Sequence, residues 1–384
     1  MERIKVALVI TELAVGGAER AMFQLATTLD RARFEPTVFS LSGRESDRAR
    51  SLAPELVARG VETVELGGRR ALDFPRVARA LSRRLKDGGY SILQSFMYHA
   101  NILGRFSGRL AGVPLVCSGV RVAERDSRLR LALDRWTRGL VDAWVCVGES
   151  VARFTRESAG VPADRVYSIP NGVHITSDDL TAVGAPPPLP FGRGRKRMIG
   201  IGRLTRQKGF DELLASASGW ATRDVMRDWE LWLVGDGEDR ARLAAQVDRL
   251  GLADFVYLAG WRSDVRRLLA DSDLFLLPSR WEGMPNALLE ACALGKACLC
   301  RDVEGVGEIL GENVAYQTSG AVLTGDWRAR LSRLLSDDEL RARLGALNRS
   351  RVCAEFSVES TTRRYERLWL ELLERRMGRF VQES

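Results

Sequence analysis

The chain has 384 residues, 45% of them hydrophobic and 28% charged, which suits two domains of ordinary size and excludes an intrinsically disordered protein. No stretch approaches the length of a transmembrane helix, so any membrane contact is expected to be peripheral. The net charge is +8, with +6 carried by residues 1–185, which indicates either a basic face for an anionic partner or an arginine-rich genomic composition.

The first half of the chain alternates between strand and helix patterns. It opens with a predicted strand at 4–10, a glycine turn at Gly16 and Gly17, and a predicted helix from about 18 to 29. Further predicted strands cover 37–41, 61–66, 92–95, 115–118, 143–147 and 166–169, and further predicted helices cover 74–86, 101–111 and 129–141. This alternation predicts a parallel, doubly wound α/β sheet.

A proline-rich segment without periodic apolar residues, 176–194, predicts a linker, and a second strand–helix series follows it. Its predicted strands are 198–202, 230–234, 255–258, 274–277 and 297–300, and its predicted helices are 211–218, 239–250, 263–270 and 286–294. Two doubly wound domains in tandem favour ligand binding where the carboxyl ends of the strands converge.

The most informative motif lies where the strand at 274–277 gives way to a helix, over residues 279–290. Glu282 precedes a glycine, Gly283, and Glu290 lies inside the helix that follows. Carboxylates can accept hydrogen bonds from paired hydroxyls, and helix-start N–H groups, here those of Met284 and Asn286, can hold phosphate. Pro285 lies near the first turn, where a proline costs least. Acidic residues near a helix start could instead offset the helix dipole, but this would explain Glu282 and not Glu290.

A second motif, residues 202–209, also leads from a strand to a helix. Gly202 allows a sharp turn, and Arg203 and Lys208 place two positive charges at the helix entrance. A departing nucleoside diphosphate needs such neutralisation. The alternative is a pair of solvated surface cations.

These two motifs closely resemble the Glu-x7-Glu motif and the diphosphate clamp of the family 4 glycosyltransferases. The resemblance implies a GT-B fold, in which two Rossmann-like domains face each other across a cleft. It implies transfer of a sugar from a nucleoside-diphosphate donor, here a UDP-sugar, with retention at the anomeric carbon. Arg203 and Lys208 would neutralise the diphosphate, Glu290 would bind the ribose hydroxyls, and Glu282 would face the donor sugar.

The resemblance also extends to less specific positions. It places Gly16, Gly17 and Gly235 at backbone approaches to the donor. An ordinary tight turn explains Gly235 equally, whereas Gly16 and Gly17, a weak signal by themselves, gain from their place after the first strand. It makes Trp261 and Arg262 contacts of the nucleobase, and His99, after the strand at 92–95, a contact of the donor sugar. The alternatives are an ordinary capped strand end for the first two and a structural role for the histidine. Arg121 and Glu124 are candidate acceptor contacts.

The predicted organisation follows from these assignments. Residues 1–175 form the acceptor-side domain and 195–356 the nucleotide-sugar domain, joined by the linker 176–194. The resemblance implies that the last helix, 357–384, crosses back to the first domain, although the sequence alone would allow it to stay on the second. Residues 308–316 lack the usual glycine-rich approach to a final strand.

Two rival functions compete with glycosyl transfer. A non-hydrolysing sugar-nucleotide epimerase needs acid/base carboxylates and histidines, whereas the chain has only two histidines. A non-catalytic nucleotide- or carbohydrate-binding protein would not need both motifs intact. Nicotinamide chemistry is less favoured still, because Gly16 and Gly17 do not continue into Gly-x-Gly-x-x-Gly.

The expected partners are a nucleotide-sugar donor and a glycan, lipid-linked or small-molecule acceptor, with no nucleic acid. No cofactor or metal is expected, because the cations of the clamp would neutralise the diphosphate and the six cysteines lack metal-ligand spacing. The absence of a disulfide framework and of a signal pattern favours the cytoplasm. A helix at 74–86 with Arg76, Arg79 and Arg83 on one side suggests contact with the inner membrane face, although a solvated helix explains it as well.

Overall fold

The computed structural model describes residues 3–43, 51–123, 127–175, 194–217, 219 and 228–383, with the backbone alone at Ala71 and over 377–383. The predicted linker 176–194, apart from Gly194, lies outside the described residues, as does Glu124. The chain divides into two compact units: unit 1 combines Met1–Gly172 with Val358–Ser384, and unit 2 is Val173–Ser357.

Strands and helices alternate through most of the described chain. The strands are β1 (Ile4–Ile10), β2 (Phe34–Ser42), β3 (Glu62–Gly68), β4 (Ile92–Phe96), β5 (Leu115–Val120), β6 (Ala143–Cys146), β7 (Val166–Ser168), β8 (Lys196–Ile201), β9 (Trp229–Val234), β10 (Val256–Gly260), β11 (Leu274–Leu277), β12 (Ala297–Arg301) and β13 (Thr318–Ser319). The α-helices are α1 (Gly17–Thr28), α2 (Ala53–Ala58), α3 (Phe74–Gly88), α4 (Tyr98–Ala111), α5 (Arg128–Thr137), α6 (Glu149–Ala159), α7 (Phe210–Ala217), α8 (Arg240–Arg249), α9 (Val265–Ala270), α10 (Asn286–Ala293), α11 (Val306–Leu310), α12 (Val314–Gln317), α13 (Gly325–Ser336), α14 (Asp338–Glu355) and α15 (Val358–Glu383).

The described strands of unit 1 form one parallel sheet in the order β3-β2-β1-β4-β5-β6-β7. Strands β4 and β6 are buried along their whole length, as expected of a parallel sheet covered on both faces. From β1 the chain adds β2 and β3 on one side of the sheet, and from β4 it adds the later strands on the other side. The direction in which strands are added therefore reverses between β1 and β4. In open α/β sheets, ligands bind outside the carboxyl ends of the strands at such a switch point.

Helices cover both faces of the unit 1 sheet. One core combines Leu8 and Phe34 with Met22 of α1, and the other combines Val9 with Leu81 of α3 and Leu103 of α4. The sheet is therefore the middle of three layers, and its two faces bury separate apolar cores.

The last helix, α15, is part of the first of these cores. Its Trp369 is fully buried, with its ring centroid 6.0 Å from that of Phe34 in an edge-on arrangement. The Arg376 guanidinium forms an ion pair with Asp142, with Nη1 and Oδ1 3.1 Å apart. The final helix thus packs on unit 1, although the chain enters it from unit 2.

Unit 2 has a parallel sheet of its own, in the order β10-β9-β8-β11-β12-β13. Strand β8 lies between β9 and β11, so the switch point of this sheet falls between β8 and β11. The core of unit 2 contains Leu214 of α7, Leu233 of β9 and Trp327 of α13, all almost fully buried. The loops that leave β8 and β11 are therefore held on a packed scaffold.

The structure differs from the sequence predictions at several element ends. Helix α4 begins at Tyr98 rather than 101, because Met97 adopts a positive φ of 75° and turns the chain directly out of β4. Helix α5 ends at Thr137, and a 3-10 turn covers Arg138–Leu140, where one continuous helix was predicted.

Several short or polar helices were not predicted. They include α2, α6, α13 and α14. The segment 308–316, whose geometry the sequence left open, contains the end of α11, a 3-10 turn at Gly311–Asn313 and the start of α12, and leads into the short strand β13. None of the described helices is both long and apolar enough to cross a membrane.

Candidate functional site

Two loops leave neighbouring strands at the switch point of unit 2. The first, named here the clamp loop, covers residues 202–209 after β8, and the second, the acidic loop, covers 278–285 after β11. Strands β8 and β11 pair in parallel through Met198–Leu274 and Ile199–Phe275. Because parallel strands end at the same edge, the two predicted motifs lie side by side.

An ion pair joins the two loops. Lys208 Nζ lies 2.5 Å from Glu282 Oε1, and only 18% of the lysine side chain and 8% of the glutamate side chain are exposed. The lysine stem crosses Gly202, where a Cβ would come within 3.1 Å of Lys208 Cδ and Cε. A buried charge is tolerated only when it is paired, so each partner holds the other in place.

The second predicted cation, Arg203, has a different environment. Its side chain is exposed, and within the described part of the chain its guanidinium forms no hydrogen bond or ion pair. It is therefore free to meet an anion beside Lys208 without first breaking an internal contact.

The acidic loop leads directly into α10. Pro285 is the residue before the helix, with φ −75° and ψ 105°, and Asn286 is the first helical residue. Met284 is buried, and Glu290 lies one turn inside the helix and is half-buried. The helix therefore directs its first backbone N–H groups to the edge of the sheet where the two loops lie, and such N–H groups can bind an anion.

Three glycines, Gly202, Gly235 and Gly260, lie close together at the ends of β8, β9 and β10, where they present backbone but no side chains. The Gly235 N–H donates to the carbonyl of Gly260 at 2.8 Å, and the Gly202 N–H donates to that of Val234 at 3.0 Å. Gly235 has a φ of 140°, and a Cβ there would stand 1.9 Å from the Gly202 carbonyl oxygen. Only glycine fits this close approach of the two turns.

The predicted base contacts, Trp261 and Arg262, follow β10. Arg262 donates to Asp264 through Nε at 2.7 Å and through Nη2 at 2.6 Å. The hydrogen bond from Arg262 lowers the pKa of Asp264 despite partial burial. Much of the Arg262 guanidinium is thus committed to a neighbouring carboxylate, whereas Trp261 is half-buried beside it.

Sequence reasoning missed a cluster of charges that ties the clamp loop to the acidic loop. Arg280 donates to Asp211 through Nη1 at 2.8 Å and Nη2 at 2.9 Å, and to Glu212 through Nε at 3.0 Å. Its own N–H donates to the carbonyl of Gln207 at 2.8 Å, and Gln207 Nε2 donates to that of Trp281 at 2.9 Å. The side-chain partners lie 68 to 74 residues apart, so no local spacing signals them.

Acid should weaken this cluster in a defined way. Burial would raise the pKa of Asp211, but the hydrogen bond and charge of Arg280 outweigh it and lower the pKa. A depressed carboxyl pKa contributes stability above its unfolded value, about 3.9, and that contribution disappears as the pH falls through the folded value. Asp211→Asn should therefore lose about 1–2 kcal/mol at pH 7 and less at pH 3.

Thermal melting at both pH values measures this difference. Asp248→Asn, an exposed aspartate on α8, is the matched control and should melt like the wild type at each pH. Equal losses for Asp211→Asn at pH 7 and pH 3 would show that the charge of Asp211 does not stabilise the loops.

Gly16, Gly17 and His99 belong to unit 1 and lie at its own switch point. Gly16 and Gly17 lie at the start of α1 after β1, and a Cβ on Gly16 would come within 2.4 Å of Glu19 Oε2. His99 is exposed in the first turn of α4, with its ring edge-on to Tyr98 at 5.7 Å. Strands β1 and β4 end together, so these two turns are neighbours.

Arg121 is half-buried in unit 1. Its Nη2 donates to Asn171 Oδ1 at 2.5 Å, and it lines a cavity of about 10 Å³ with Thr362 and Tyr365 of α15. Burial lowers the pKa of Arg121, partly offset by Tyr365 and Glu19. A contact with an acceptor remains a prediction for this residue, and Glu124 lies outside the described residues.

A metal site would need several ligating side chains close together. Over the described ranges, no group of three or more His, Cys, Asp or Glu side chains has a geometry that could hold a metal ion. The expected independence from a metal remains a prediction.

Both units match family models. Residues 15–177 match the model described as Glycosyltransferase Family 4, and residues 186–351 match the model described as Glycosyl transferases group 1. The chain belongs to the family 4 glycosyltransferases. The resemblance drawn from the two motifs is therefore confirmed.

Several curated relatives are similar to parts of the chain. One is the Escherichia coli UDP-Gal:alpha-D-GlcNAc-diphosphoundecaprenol alpha-1,3-galactosyltransferase, 29% identical over 59% of this chain and 61% of the relative. Another is the lipopolysaccharide core biosynthesis glycosyltransferase LpsD of Rhizobium meliloti (strain 1021), 31% identical over 44% of this chain and 47% of the relative. The chain thus spans 61% of the first relative's length and 47% of the second's.

Solved structures match nearly the whole chain. Anabaena Alr3699/HepE in complex with UDP-glucose has a TM-score of 0.80 at 17% identity, covering 96% of this chain and 100% of that one. Sucrose-phosphate synthase from Thermosynechococcus elongatus has a TM-score of 0.76 at 17% identity, covering 97% and 100%. At this identity the likeness shows the fold, which is GT-B with two Rossmann-like units, and the predicted fold class is confirmed.

Proposed function

We propose that this chain is a retaining glycosyltransferase that moves a sugar from a UDP-sugar to a glycan, lipid-linked or small-molecule acceptor in cell-envelope or exopolysaccharide biosynthesis. The observation that carries the proposal is the buried Lys208–Glu282 pair at the switch point of unit 2, with the exposed Arg203 on the same loop as Lys208. The relatives named above are glycosyltransferases, which supports transfer and gives no support to an epimerase or a non-catalytic binding protein.

The geometry suggests how these side chains would act. A bound diphosphate would take hydrogen bonds from Lys208 and Arg203 and from the N–H groups at the start of α10. Lys208 would then be shared between Glu282 and the phosphate, and Glu282 would accept a hydrogen bond from a hydroxyl of the donor sugar. As the glycosidic bond breaks, negative charge accumulates on the leaving diphosphate, and the fixed cations stabilise it most in that state.

The remaining assignments complete the proposal. Glu290 would accept hydrogen bonds from the ribose hydroxyls. Gly202 and Gly235 would let the nucleotide approach the backbone, and His99 would contact the donor sugar. No metal is required if the two cations neutralise the diphosphate. We place the enzyme in the cytoplasm, with peripheral contact of unit 1 to the inner face of the membrane, where a lipid-linked acceptor is accessible.

A thermal-shift panel tests the donor site. UDP-, GDP- and ADP-sugars are added to the wild type and to Glu290→Ala, and the UDP-sugar alone should stabilise the wild type, by about 2.7 kcal/mol at a concentration of 100 Kd. Glu290→Ala should lose most of this shift, because the ribose hydroxyls lose their acceptor.

The matched control is Glu339→Ala, which removes an exposed helical glutamate of the same unit. It should retain the full shift. A UDP-sugar that stabilises Glu290→Ala as much as the wild type would refute the ribose assignment, and a panel in which no nucleotide sugar stabilises the wild type would refute the proposed function.

A further inference from the structure

An unusual apolar surface lies on helices α4 and α5 of unit 1. Leu129 and Trp136 of α5 are 80% and 74% exposed, and Leu110 of α4 is 76% exposed. Phe106 links the two helices, since its ring centroid is 5.9 Å from that of Trp136 and Leu110 lies one turn further along α4. Ala132 is also exposed and completes the stripe on α5. These residues are named here the α5 stripe.

The α5 stripe is a continuous face rather than scattered side chains. Residues 129, 132 and 136 are spaced by three and four, which places them along one side of a helix. The opposite side of α5 makes the internal contacts: Thr137 is buried, and Asp134 pairs with the buried Arg105 at 2.7 Å. The helix thus directs its apolar side chains outward while a salt bridge holds its inner side to α4.

Positive charge borders the stripe. Arg128 and Arg135 lie beside it on α5, and Arg138 follows the helix; all three are exposed. Arg135 donates to the Ser158 carbonyl at 2.6 Å and Arg138 to the Gly160 carbonyl at 3.0 Å, so these contacts leave the charges unneutralised. Over the described ranges, none of the three arginines pairs with a carboxylate.

Helix α3, the basic helix predicted from the sequence, lacks the row of exposed apolar side chains that the α5 stripe has. Its arginines Arg79 and Arg83 are exposed, but its apolar residues Val77, Leu81 and Leu85 are buried against the sheet. That face can attract an anionic surface, but among the described residues of α3 the exposed large apolar side chains are limited to Phe74, 36% exposed at the first position of the helix. The α5 stripe combines both properties.

We propose that the α5 stripe is a membrane-docking surface, with Leu129, Trp136 and Leu110 inserted among the headgroups of an anionic bilayer. A surface helix with apolar residues on one side and arginines at its border is the composition of interfacial helices, and tryptophan favours the headgroup level. The bordering arginines meet lipid phosphates while their stems lie along the apolar side chains. A second copy of the chain would instead bring like charges together.

The inference rests on the peripheral membrane contact proposed above and names the surface responsible. Its test is flotation of the full-length protein with vesicles of phosphatidylglycerol and phosphatidylcholine, compared with phosphatidylcholine alone. The wild type should float with the anionic vesicles at low salt. Leu129→Ser/Trp136→Ser should weaken binding by about tenfold or more, and Arg128→Gln by about twofold to fivefold with a smaller salt dependence.

Two control variants separate this surface from others. Leu347→Ser/Tyr316→Ser removes two exposed apolar side chains from unit 2 and should bind like the wild type. Arg79→Gln/Arg83→Gln removes the charges of α3 and should retain more binding than the stripe variant. Vesicle binding unchanged by Leu129→Ser/Trp136→Ser, or lost only in the α3 variant, would overturn the proposal.

Two further measurements keep the outcomes distinct. Light scattering of the wild type would overturn the proposal if it showed a dimer that the stripe variant disperses, without binding of either protein to vesicles. The UDP-sugar thermal shift should be the same in the stripe variant and the wild type, because the stripe contains none of the proposed donor contacts. Failure of vesicle binding alone therefore leaves the proposed glycosyl transfer standing.

Discussion

Lys208→Ala is expected to lower the turnover of the UDP-sugar donor by about 100- to 1000-fold, the usual loss when one fixed charge-stabilising group is removed from a transition state. The lysine is the buried cation of the clamp loop, and its stem is positioned by Gly202. Release of UDP in the presence and absence of an acceptor measures the effect, and kcat should fall more than KM rises.

The same substitution should destabilise the protein, because it leaves Glu282 buried without its partner, at a cost of about 3 kcal/mol. The double variant Lys208→Ala/Glu282→Gln should recover much of this stability and none of the activity. Arg206→Ala, an exposed arginine on the same loop, is the control and should be nearly silent. If Arg206→Ala were inactive and Lys208→Ala active, the assignment of Lys208 as the cation that stabilises the diphosphate would be wrong.

The fold was largely predictable because its signals are local. Each long buried strand is a run of apolar residues, and glycine turns mark where strands give way to helices, so β1, β8 and β11 were located to within two residues. Two of the helices that were missed have weak local signals: α2 spans six residues, and α14 has basic and apolar residues around most of its surface. Their positions depend on tertiary packing.

The candidate site was predictable only in part, for a related reason. The chemistry of Lys208 and Glu282 is visible in two short motifs, but their pairing depends on β8 and β11 being neighbours at the switch point. The Arg280 cluster and the left-handed Gly305, where a Cβ would stand 2.4 Å from the Gly283 carbonyl oxygen, join segments distant in sequence. Exposure of Trp136 could not be read from a helical pattern either, because the same spacing fits a buried face.

Gly235→Ala is the second substitution with a large expected effect. The new Cβ would stand 1.9 Å from the Gly202 carbonyl oxygen. Because the atom that it meets belongs to the backbone, no flexible side chain can move aside to make room. The φ of 140° adds strain that alanine cannot relieve without rotating the peptide. We expect a loss of about 3 kcal/mol or more in stability and a loss of the UDP-sugar thermal shift, because the clamp loop must be displaced.

Gly251→Ala separates the two causes of this effect. Gly251 also has a positive φ, 65°, but no atom of the described residues beyond its two chain neighbours lies within 4 Å of the position that a Cβ would occupy. Alanine there should therefore cost only the strain of about 1 kcal/mol and leave the donor shift intact. Thermal melting with and without the UDP-sugar compares the two variants. If Gly235→Ala melted like Gly251→Ala and still bound the donor, the close backbone approach of β8 and β9 could not be what shapes the nucleotide site.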